Sequence, residues 1–484
     1  MEHKAGLEAD IARLSVSPII SADFGQPLVD DWVVDVYFSE DDDATAFPVI
    51  LDSGSSNLAV AIDRCLDCHK ASTKLDPTLA SPERCIEVTY GSGAWKGVEV
   101  APAYVGLSAD LFTDAVAYAG ITYQDVFFSG GGSYVGILGM AYQGIASNYM
   151  SSSCSRRRLD DTVPAATSDA SGDFAASGGS ASTSADSVEL ATPLMYNLYS
   201  SGAVSENAFG ITMCGDAATV SLGGIDSAMY QAGSLMYATS QKVFGEYYGY
   251  YMIYTSGVSV AGASVTVENI NLYGGLVVDT GTTLHYLPTA TVKAIETAVT
   301  SATSLATTSL YDWDACVSAS DLTSFPDITY TFSESSDDDA STFDVLLKPK
   351  HYMLDLAGCY YWGFEESSLG IFGNIGMRHR AMVFDITNSR IGIGNGVCHA
   401  ADDDGATLAA VGSGAAVGKA AVGAAEPGKE HTSWEMTVGL VSAMAVVGTV
   451  LASAFVVLNK VTAQAAGRSK AVEEEESVSL LPPL

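Results

Sequence analysis

Two segments of the chain place an aspartate and small hydroxyl residues directly after an apolar run. Asp52-Ser53-Gly54-Ser55 follows Val49-Ile50-Leu51, and Asp279-Thr280-Gly281-Thr282 follows Leu276-Val277-Val278. A carboxylate at the end of a buried strand must be hydrogen-bonded or must have a strongly shifted pKa. A turn would explain one such segment, whereas a close repeat of it indicates a repeated architecture.

Two neighbouring carboxylates can work together as acid and base. At a separation of about 3 Å they cannot both ionise, so they share one proton and titrate as a unit. One can deprotonate a water molecule held between them while the other donates a proton to a substrate carbonyl. We predict that Asp52 and Asp279 are catalytic in this way, and that the protein uses no metal and no cofactor.

The elements that would position these aspartates are short strands. Residues 27–145 and the stretch from Val188 to Cys398 alternate apolar residues with Gly, Asp and Ser, which predicts an all-β body with helix only in short pieces such as 291–300. Residues 147–187 form a Ser/Ala/Gly/Asp-rich insertion with too few large apolar groups to pack.

A β-hairpin is predicted at residues 85–100. Apolar residues alternate along the first strand up to Tyr90, the segment Gly91-Ser92-Gly93 supplies a turn, and Trp95 lies in the return strand. A tyrosine beside a glycine turn, taken alone, indicates packing more often than function.

Composition limits the partners and the compartment. The 484 residues include 22 Lys+Arg and 57 Asp+Glu, and the net charge of -35 argues against a nucleic-acid or anionic-surface partner and suggests work at low pH. The eight cysteines, an even set, are consistent with disulfides in an oxidising compartment. Cys65 and Cys68 with His69 match the C-x-x-C-H pattern of haem attachment, but a local disulfide is the simpler interpretation.

With these motifs the chain resembles the pepsin-like aspartic endopeptidases over residues 27–399. The resemblance implies an all-β, bilobal fold with an active-site cleft between two homologous lobes, and Asp52 and Asp279 as the catalytic pair. The other motif residues would support this pair. The resemblance implies that Ser53 and Thr280 brace the two loops against each other. It also implies that Ser55 and Thr282 bind the outer carboxylate oxygens, and Gly54 and Gly281 lie between these hydroxyl residues.

Two further features of that family have counterparts here. A later apolar-apolar-glycine segment threads behind each aspartate loop in the family, and Ile137-Leu138-Gly139 and Ile371-Phe372-Gly373 match it. The hairpin looks like the family's substrate-binding flap, with Tyr90 as the flap tyrosine. The flap would consist of Tyr90, Gly91, Ser92, Gly93 and Trp95.

Within the family, the chain is most similar to the memapsin (β-secretase) branch. Ala59 stands where pepsin has a tryptophan that hydrogen-bonds to the flap tyrosine, and Trp95 could supply that donor. The resemblance also implies the disulfides Cys214–Cys398 and Cys316–Cys359. The remaining cysteines have three alternative connectivities: Cys65, Cys68, Cys85 and Cys154.

Two departures concern the substrate and the N-terminus. Leu284-His285-Tyr286-Leu287 stands where memapsins have a basic residue that binds the substrate, so their substrate preference does not carry over. The first residues have no apolar secretory signal, which conflicts with a lumenal protein, and we expect that the true N-terminus is missing.

The C-terminal region predicts a membrane anchor. Residues 400–435 resemble a flexible stalk, and residues 436–458 contain no charged residue and are long enough to span a bilayer as a helix. Basic residues after the span favour a cytosolic C-terminus. The tail ends in an acidic dileucine sorting motif, which predicts binding to clathrin adaptors: Glu476, Leu480 and Leu481.

The predicted order is an N-terminal segment (1–26), an N-terminal β lobe (27–215), a C-terminal β lobe (216–399), the stalk (400–435), the transmembrane helix (436–458) and a cytosolic tail (459–484). We predict a single-pass type I membrane aspartic endopeptidase that cleaves proteins or peptides in an acidic lumen of the Golgi, endosomes, lysosome or vacuole. The alternative is a catalytically silent pepsin-fold protein that binds peptides or proteins. A third hypothesis is a sheddase at the plasma membrane.

Overall fold

The chain forms short strands throughout, as its alternating pattern predicts. The computed structural model describes residues 12–21, 29–39, 44–65, 68, 71, 73–76, 80–90, 93–108, 111–125, 134–149, 191–214, 217–303, 317–337, 340–356 and 358–398. All of them belong to one compact unit of the chain. A second unit, Asp23–Pro27, Arg158–Gly172 and Leu408–Leu484, lies outside the described residues.

The strands of the first half and the linking region are β1 (Ala12–Ser21), β2 (Val29–Val36), β3 (Phe47–Asp52), β4 (Leu58–Ala61), β5 (Ala80–Tyr90), β6 (Gly93–Ser108), β7 (Leu111–Asp125), β8 (Gly136–Gly139), β9 (Ala208–Cys214) and β10 (Ala217–Leu222).

The strands of the second half are β11 (Met236–Thr239), β12 (Met252–Ile253), β13 (Thr255–Val260), β14 (Ala263–Val265), β15 (Leu276–Val278), β16 (His285–Leu287), β17 (Val317–Ser318), β18 (Ile328–Ser333), β19 (Thr342–Leu347), β20 (Met353–Leu356), β21 (Cys359–Trp362), β22 (Phe364–Glu366), β23 (Ile371–Phe372), β24 (Arg380–Asp385) and β25 (Arg390–Asn395).

Helices are few in the described part of the chain. They are α1 (Leu194–Ser200), α2 (Thr289–Ala302), α3 (Ala319–Leu322) and α4 (Asn374–Met377), with 3-10 turns at Gln143–Ile145 and Pro349–His351. The helix predicted at 291–300 corresponds to α2, whose residues Val292, Ile295 and Val299 are buried at helical spacing. Among the described residues, no helix is both long enough and apolar enough to cross a membrane.

A large sheet joins the two halves of the chain. Its strand order is β11-β25-β24-β9-β10-β1-β2-β3-β8-β4-β7-β6-β5, so strands from both halves pair with each other. The predicted lobe boundary at residue 215 falls between β9 and β10, which are antiparallel neighbours. Strand β1, which the sequence did not predict, pairs with β10 and with β2.

The two halves place their aspartates in the same way. In the first half, β3 runs parallel to β8, with Leu51 opposite Leu138 and Asp52 opposite Gly139. In the second half, β15 runs parallel to β23, with Val278 opposite Phe372. Each apolar-apolar-glycine segment therefore lies beside the strand that leads into an aspartate, as the resemblance implied.

Burial explains why these strands are apolar on both faces. Leu51 and Val278 belong to the main hydrophobic core, whereas Ile50 and Val277, which point to the other face, belong to separate clusters. A strand that is held on both faces has little freedom to move. Each strand thus delivers its aspartate to a fixed position.

Two disulfides join described cysteines. Cys214 pairs with Cys398, the pairing that the resemblance implied, and Cys65 pairs with Cys68, the local disulfide of the simpler interpretation. Cys359 is also disulfide-bonded, but Cys316 lies outside the described residues, so the predicted Cys316–Cys359 pairing stays a prediction.

Candidate active site

The loops after β3 and β15 are tied together by the first hydroxyl of each motif. The backbone N–H of Ser53 donates to Thr280 Oγ1 and the N–H of Thr280 donates to Ser53 Oγ, both at 2.9 Å. Each hydroxyl then donates to a carbonyl of the opposite loop, Ser53 Oγ to Val278 O at 3.0 Å and Thr280 Oγ1 to Leu51 O at 2.7 Å. This reciprocal set of four buried hydrogen bonds holds the two loops in register.

Each carboxylate receives the same two hydrogen bonds from its own loop. The N–H of Gly54 donates to Asp52 Oδ1 at 2.7 Å, and the N–H of Gly281 donates to Asp279 Oδ1 at 2.8 Å. The second hydroxyls bind the other oxygens: Ser55 Oγ donates to Asp52 Oδ2, and Thr282 Oγ1 donates to Asp279 Oδ2 at 2.6 Å. The two carboxylates are therefore oriented by equivalent contacts.

The glycines of the two motifs allow the carboxylates to approach each other. A Cβ atom on Gly54 would lie 2.7 Å from the Asp279 carboxylate, and one on Gly281 would lie 2.8 Å from Asp52 Cγ. No side chain fits at these distances. Each glycine thus lies directly against the aspartate of the opposite loop, and the structure brings Asp52 and Asp279 together.

The environment of Asp52 favours its protonated form. Burial raises the pKa of Asp52 well above its ordinary value, and the negative charge of Asp279 and a hydrogen bond with it raise this pKa further. The hydrogen bonds from Ser55 and Gly54 oppose the rise because they stabilise the carboxylate. The pair therefore keeps a proton to higher pH than an isolated carboxyl group would.

The predicted hairpin places Tyr90 beside Asp52. Strands β5 and β6 pair with Tyr90 opposite Gly93 and Val88 opposite Trp95, and Trp95 Nε1 donates to the Tyr90 hydroxyl at 3.3 Å. Burial and the charge of Asp52 raise the pKa of Tyr90, which is also hydrogen-bonded with Ser55. The tyrosine thus stays protonated at the edge of the dyad. Gly91 and Ser92 lie outside the described residues.

Two residues that the sequence did not single out also belong to the surroundings of the site. Burial and the charges of Tyr247, Asp279 and Asp52 raise the pKa of Tyr250 to about 12. Asn374 is fully buried, and its Nδ2 donates to Thr280 O at 2.9 Å. The only signals were a cluster of tyrosines around 250 and the position of Asn374 directly after Ile371-Phe372-Gly373.

The remaining predicted features fall outside the described residues. They are residues 150–187 of the predicted insertion, the transmembrane segment at 436–458, and Cys154, Cys316, Glu476, Leu480 and Leu481. The first residues of the predicted insertion, 147–149, are instead packed, because the Asn57 side chain binds the backbone of Ser147 and Tyr149 is buried. Within the described ranges, no group of three or more His, Cys, Asp or Glu side chains is arranged to hold a metal ion.

The chain is similar to known aspartic proteases. Residues 177–396 match the family model for eukaryotic aspartyl protease. Pepsin A of Sus scrofa is 26% identical over 377 residues, which cover 72% of this chain and 78% of that protein. Pepsin A of Bos taurus is 24% identical over 375 residues, 72% of this chain and 80% of that protein. A probable vacuolar protease A of Trichophyton verrucosum is 22% identical over 401 residues, 78% of this chain and 82% of that protein.

Proposed function

We propose that this pepsin-like aspartic peptidase cleaves internal peptide bonds of proteins or peptides in an acidic lumen, with Asp52 and Asp279 as its catalytic pair. The observation that carries the assignment of the pair is the close approach of Gly54 to Asp279 and of Gly281 to Asp52. This approach leaves two buried carboxylates side by side with equivalent hydrogen bonds from their own loops.

In the proposed mechanism, the two carboxylates share one proton. The ionised carboxylate takes a proton from a water molecule held between the two, and the water oxygen attacks the carbonyl carbon of the scissile peptide bond. The protonated carboxyl gives its proton to the carbonyl oxygen, so the tetrahedral intermediate is a gem-diol. As the C–N bond breaks, the carboxyl that took the water proton passes it to the leaving nitrogen, and the other carboxylate takes a proton from the gem-diol. The products are a carboxylic acid and an amine, and the pair again holds one proton.

The supporting residues have separate tasks in this mechanism. Gly54 and Gly281 donate backbone N–H bonds that stabilise the ionised carboxylate. Ser53 and Thr280 fix the distance between the loops, so the pair needs little reorganisation during the reaction. Tyr90 is hydrogen-bonded with Ser55 beside Asp52, and in this mechanism it shields that carboxylate from bulk water, which strengthens the electrostatic interactions at the dyad.

The catalytic assignment is tested by isosteric substitution. Asp52→Asn and Asp279→Asn each remove one ionisable group with little change in shape, and we expect each to lower kcat for peptide cleavage by about 10²–10⁴-fold or more. Asp344→Asn, at an exposed aspartate that binds Thr331, is the matched control and should retain activity. Cleavage that persists in both active-site variants would remove the dyad as its cause, and an inactive wild-type chain that binds peptides would favour the silent binding protein.

The proposal also includes the location of the protein. We propose that residues 436–458 anchor the chain as a single-pass type I membrane protein with a lumenal catalytic domain. The support is the charge-free composition of that segment and its place between a Gly/Ala-rich stretch and a tail that ends in the acidic dileucine motif. Replacing Leu480 and Leu481 by alanine should then move the protein to the cell surface, and an unchanged distribution would count against the sorting signal.

The memapsin branch is part of the same proposal. Its support is Ala59 together with the hydrogen bond from Trp95 to Tyr90, which supplies the flap tyrosine with a donor from within the flap. The Cys214–Cys398 disulfide is consistent with this branch.

A further inference from the structure

Six basic side chains are gathered in the second half of the chain. They come from two short segments, one at the 3-10 turn before β20 and the other between α4 and β24. The chain has 57 Asp+Glu against 22 Lys+Arg, so a concentration of cations in so little sequence runs against its composition. We call this group the basic cluster: Lys348, Lys350, His351, Arg378, His379 and Arg380.

The fold brings the two segments into direct contact. The rings of His351 and His379 lie 5.5 Å apart. The backbone of His379 is fixed on both sides, because its N–H donates to Met213 O at 2.7 Å and its carbonyl accepts from the Gly396 N–H at 2.9 Å. His379 has a left-handed backbone with φ of 58°, so this position is strongly constrained by the structure around it.

The electrostatic environment of His351 agrees with a positive cluster. Burial lowers the pKa of His351 to about 2, and the positive charges of Arg380, His379, Lys348 and Arg378 lower it further. No carboxylate is among the groups that shift this pKa. Positive groups from both segments therefore lie near the neutral imidazole of His351.

Arg380 is the buried member of the cluster. Only 8% of its surface is exposed, its Nε donates to Gly376 O at 3.1 Å, and one Nη2 donates to Leu346 O. These carbonyls satisfy two of the five guanidinium N–H donors, but they carry no negative charge that would balance the positive charge of Arg380. Within the described part of the chain, no carboxylate forms an ion pair with Arg380 or Lys348. Lys348, Arg378 and His379 are half-buried, so part of each side chain reaches solvent.

We propose that the basic cluster is a binding site for the phosphate or sulfate group of a compact, soluble anion. A guanidinium binds such oxyanions through two parallel N–H bonds, and a neighbouring ammonium adds a point charge. The net charge of -35 repels a long polyanion, but salt screens that repulsion beyond roughly 8 Å. A small anion held within the cluster therefore gains the local attraction and avoids most of the global repulsion.

The site is connected to the second aspartate loop through α4. Arg380 binds the carbonyl of Gly376 near the end of α4, and at its start the N–H of Asn374 donates to Thr282 O at 2.8 Å. An anion that holds Arg380 in place would also stabilise α4. Binding should therefore raise the thermal stability of the protein, because the ligand binds the folded state alone.

The test uses the full chain and pyrophosphate as the probe. We expect isothermal titration calorimetry to show saturable binding that Lys348→Gln weakens by about 5–10-fold, the loss of one charge-assisted contact. The matched control is Lys293→Gln, which removes the same charge from the same half of the chain at a lysine that lies 3.8 Å from Glu366. Lys293→Gln should bind pyrophosphate as tightly as the wild-type chain does. Pyrophosphate should raise the Tm of the wild-type chain and of Lys293→Gln.

Arg380→Lys provides a second variant that keeps the charge but loses the guanidinium geometry, and we expect weaker binding again. If Arg380→Lys does not fold, Lys348→Gln carries the test. Absence of saturable binding to the wild-type chain would overturn the proposal, as would equal weakening in Lys348→Gln and Lys293→Gln. Binding to phosphatidic acid vesicles without binding to pyrophosphate would also overturn it, since the ligand would then be a lipid surface.

Discussion

The two aspartates of the proposed catalytic pair have equivalent contacts from their own loops, but Asp52 also shares its partner Ser55 with Tyr90. Ser55 is bonded both to Asp52 and to Tyr90, whereas Thr282 binds the equivalent oxygen of Asp279. The pKa of Asp52 is raised by burial and by Asp279, and Ser55 holds that rise back. Individual hydroxyl groups therefore adjust the pH at which the dyad loses its shared proton.

Ser55→Ala should move the pH profile. Loss of the Ser55 hydrogen bond removes a contact that lowers the pKa of Asp52, so the pKa of Asp52 rises and the alkaline limb of kcat/KM moves to higher pH. Ser56→Ala is the control, because Ser56 Oγ donates to Tyr142 O at 2.6 Å and not to a carboxylate. An alkaline limb that stays in place in Ser55→Ala would contradict this role.

Trp95→Phe tests the hydrogen-bond donor to Tyr90. The change removes one hydrogen bond of about 1 kcal/mol, which corresponds to a roughly 5-fold fall in kcat/KM if the bond holds Tyr90 in its catalytic position. Trp32→Phe is the control, because Trp32 is buried and its Nε1 has no partner among the described residues. Equal effects of both substitutions on kcat/KM would indicate a packing role for Trp95.

At the scale of elements, the reciprocal hydrogen bonds between the two loops are the critical feature. They join residues that are 227 positions apart, and each is buried. The strands before them are held on both faces by hydrophobic clusters. Positioning of the dyad therefore depends on contacts between β3 and β15 and their loops, and not on either half alone.

Thr280→Val should lower kcat by more than its loss of stability explains. Valine keeps the shape but leaves the Ser53 N–H and the Leu51 carbonyl without their partner, which costs about 1–3 kcal/mol for each buried group. Thr291→Val is the control, because Thr291 is fully buried and binds the backbone of Glu268 far from the dyad. Both should lower the free energy of unfolding in urea, but only Thr280→Val should lower kcat per folded molecule. A normal kcat in Thr280→Val would contradict the bracing role.

The sequence predicted these elements unevenly. The motif strands, the hairpin and the dyad follow from local patterns, because an apolar run followed by an aspartate and a glycine indicates how a strand ends. The pairing of β1 with β10 could not be predicted, since the two strands lie about two hundred residues apart and the choice of partner is a long-range property. Tyr250 was missed for the same reason, because only the fold exposes its hydroxyl to the charges of Asp52 and Asp279.

For the whole molecule, buried titratable groups change the free energy of unfolding in opposite directions as the pH changes. Burial lowers the pKa of His285 to about 3 and that of His351 to about 2. The unfolded chain therefore binds these protons first, and the free energy of unfolding falls as the pH drops below about 6.5. Asp52 acts in the opposite sense, because its raised pKa makes the folded state hold a proton that the unfolded state releases above about pH 3.9. As the pH falls, the two histidines should therefore lower the free energy of unfolding, and Asp52 should raise it.

His285→Leu should weaken the first of these effects. The ring centroid of His285 lies 4.9 Å from that of Phe364 and 4.9 Å from that of Phe372. The surroundings of His285 are therefore apolar enough to accept a leucine. Urea unfolding between about pH 6.5 and pH 4 should show a shallower loss of stability than in the wild-type chain, by up to about 1.4 kcal/mol per pH unit. Parallel curves for the two proteins would show that His285 does not titrate between the folded and unfolded states in this range.

The measurement that tests the central claim most directly is the pH dependence of kcat/KM for peptide cleavage by the wild-type chain. A dyad that shares one proton is active only between its two macroscopic pKa values, so we predict a bell-shaped profile with its maximum at acid pH. A profile with a single limb that rises towards neutral pH would contradict the shared-proton dyad, because it would indicate one general base acting alone.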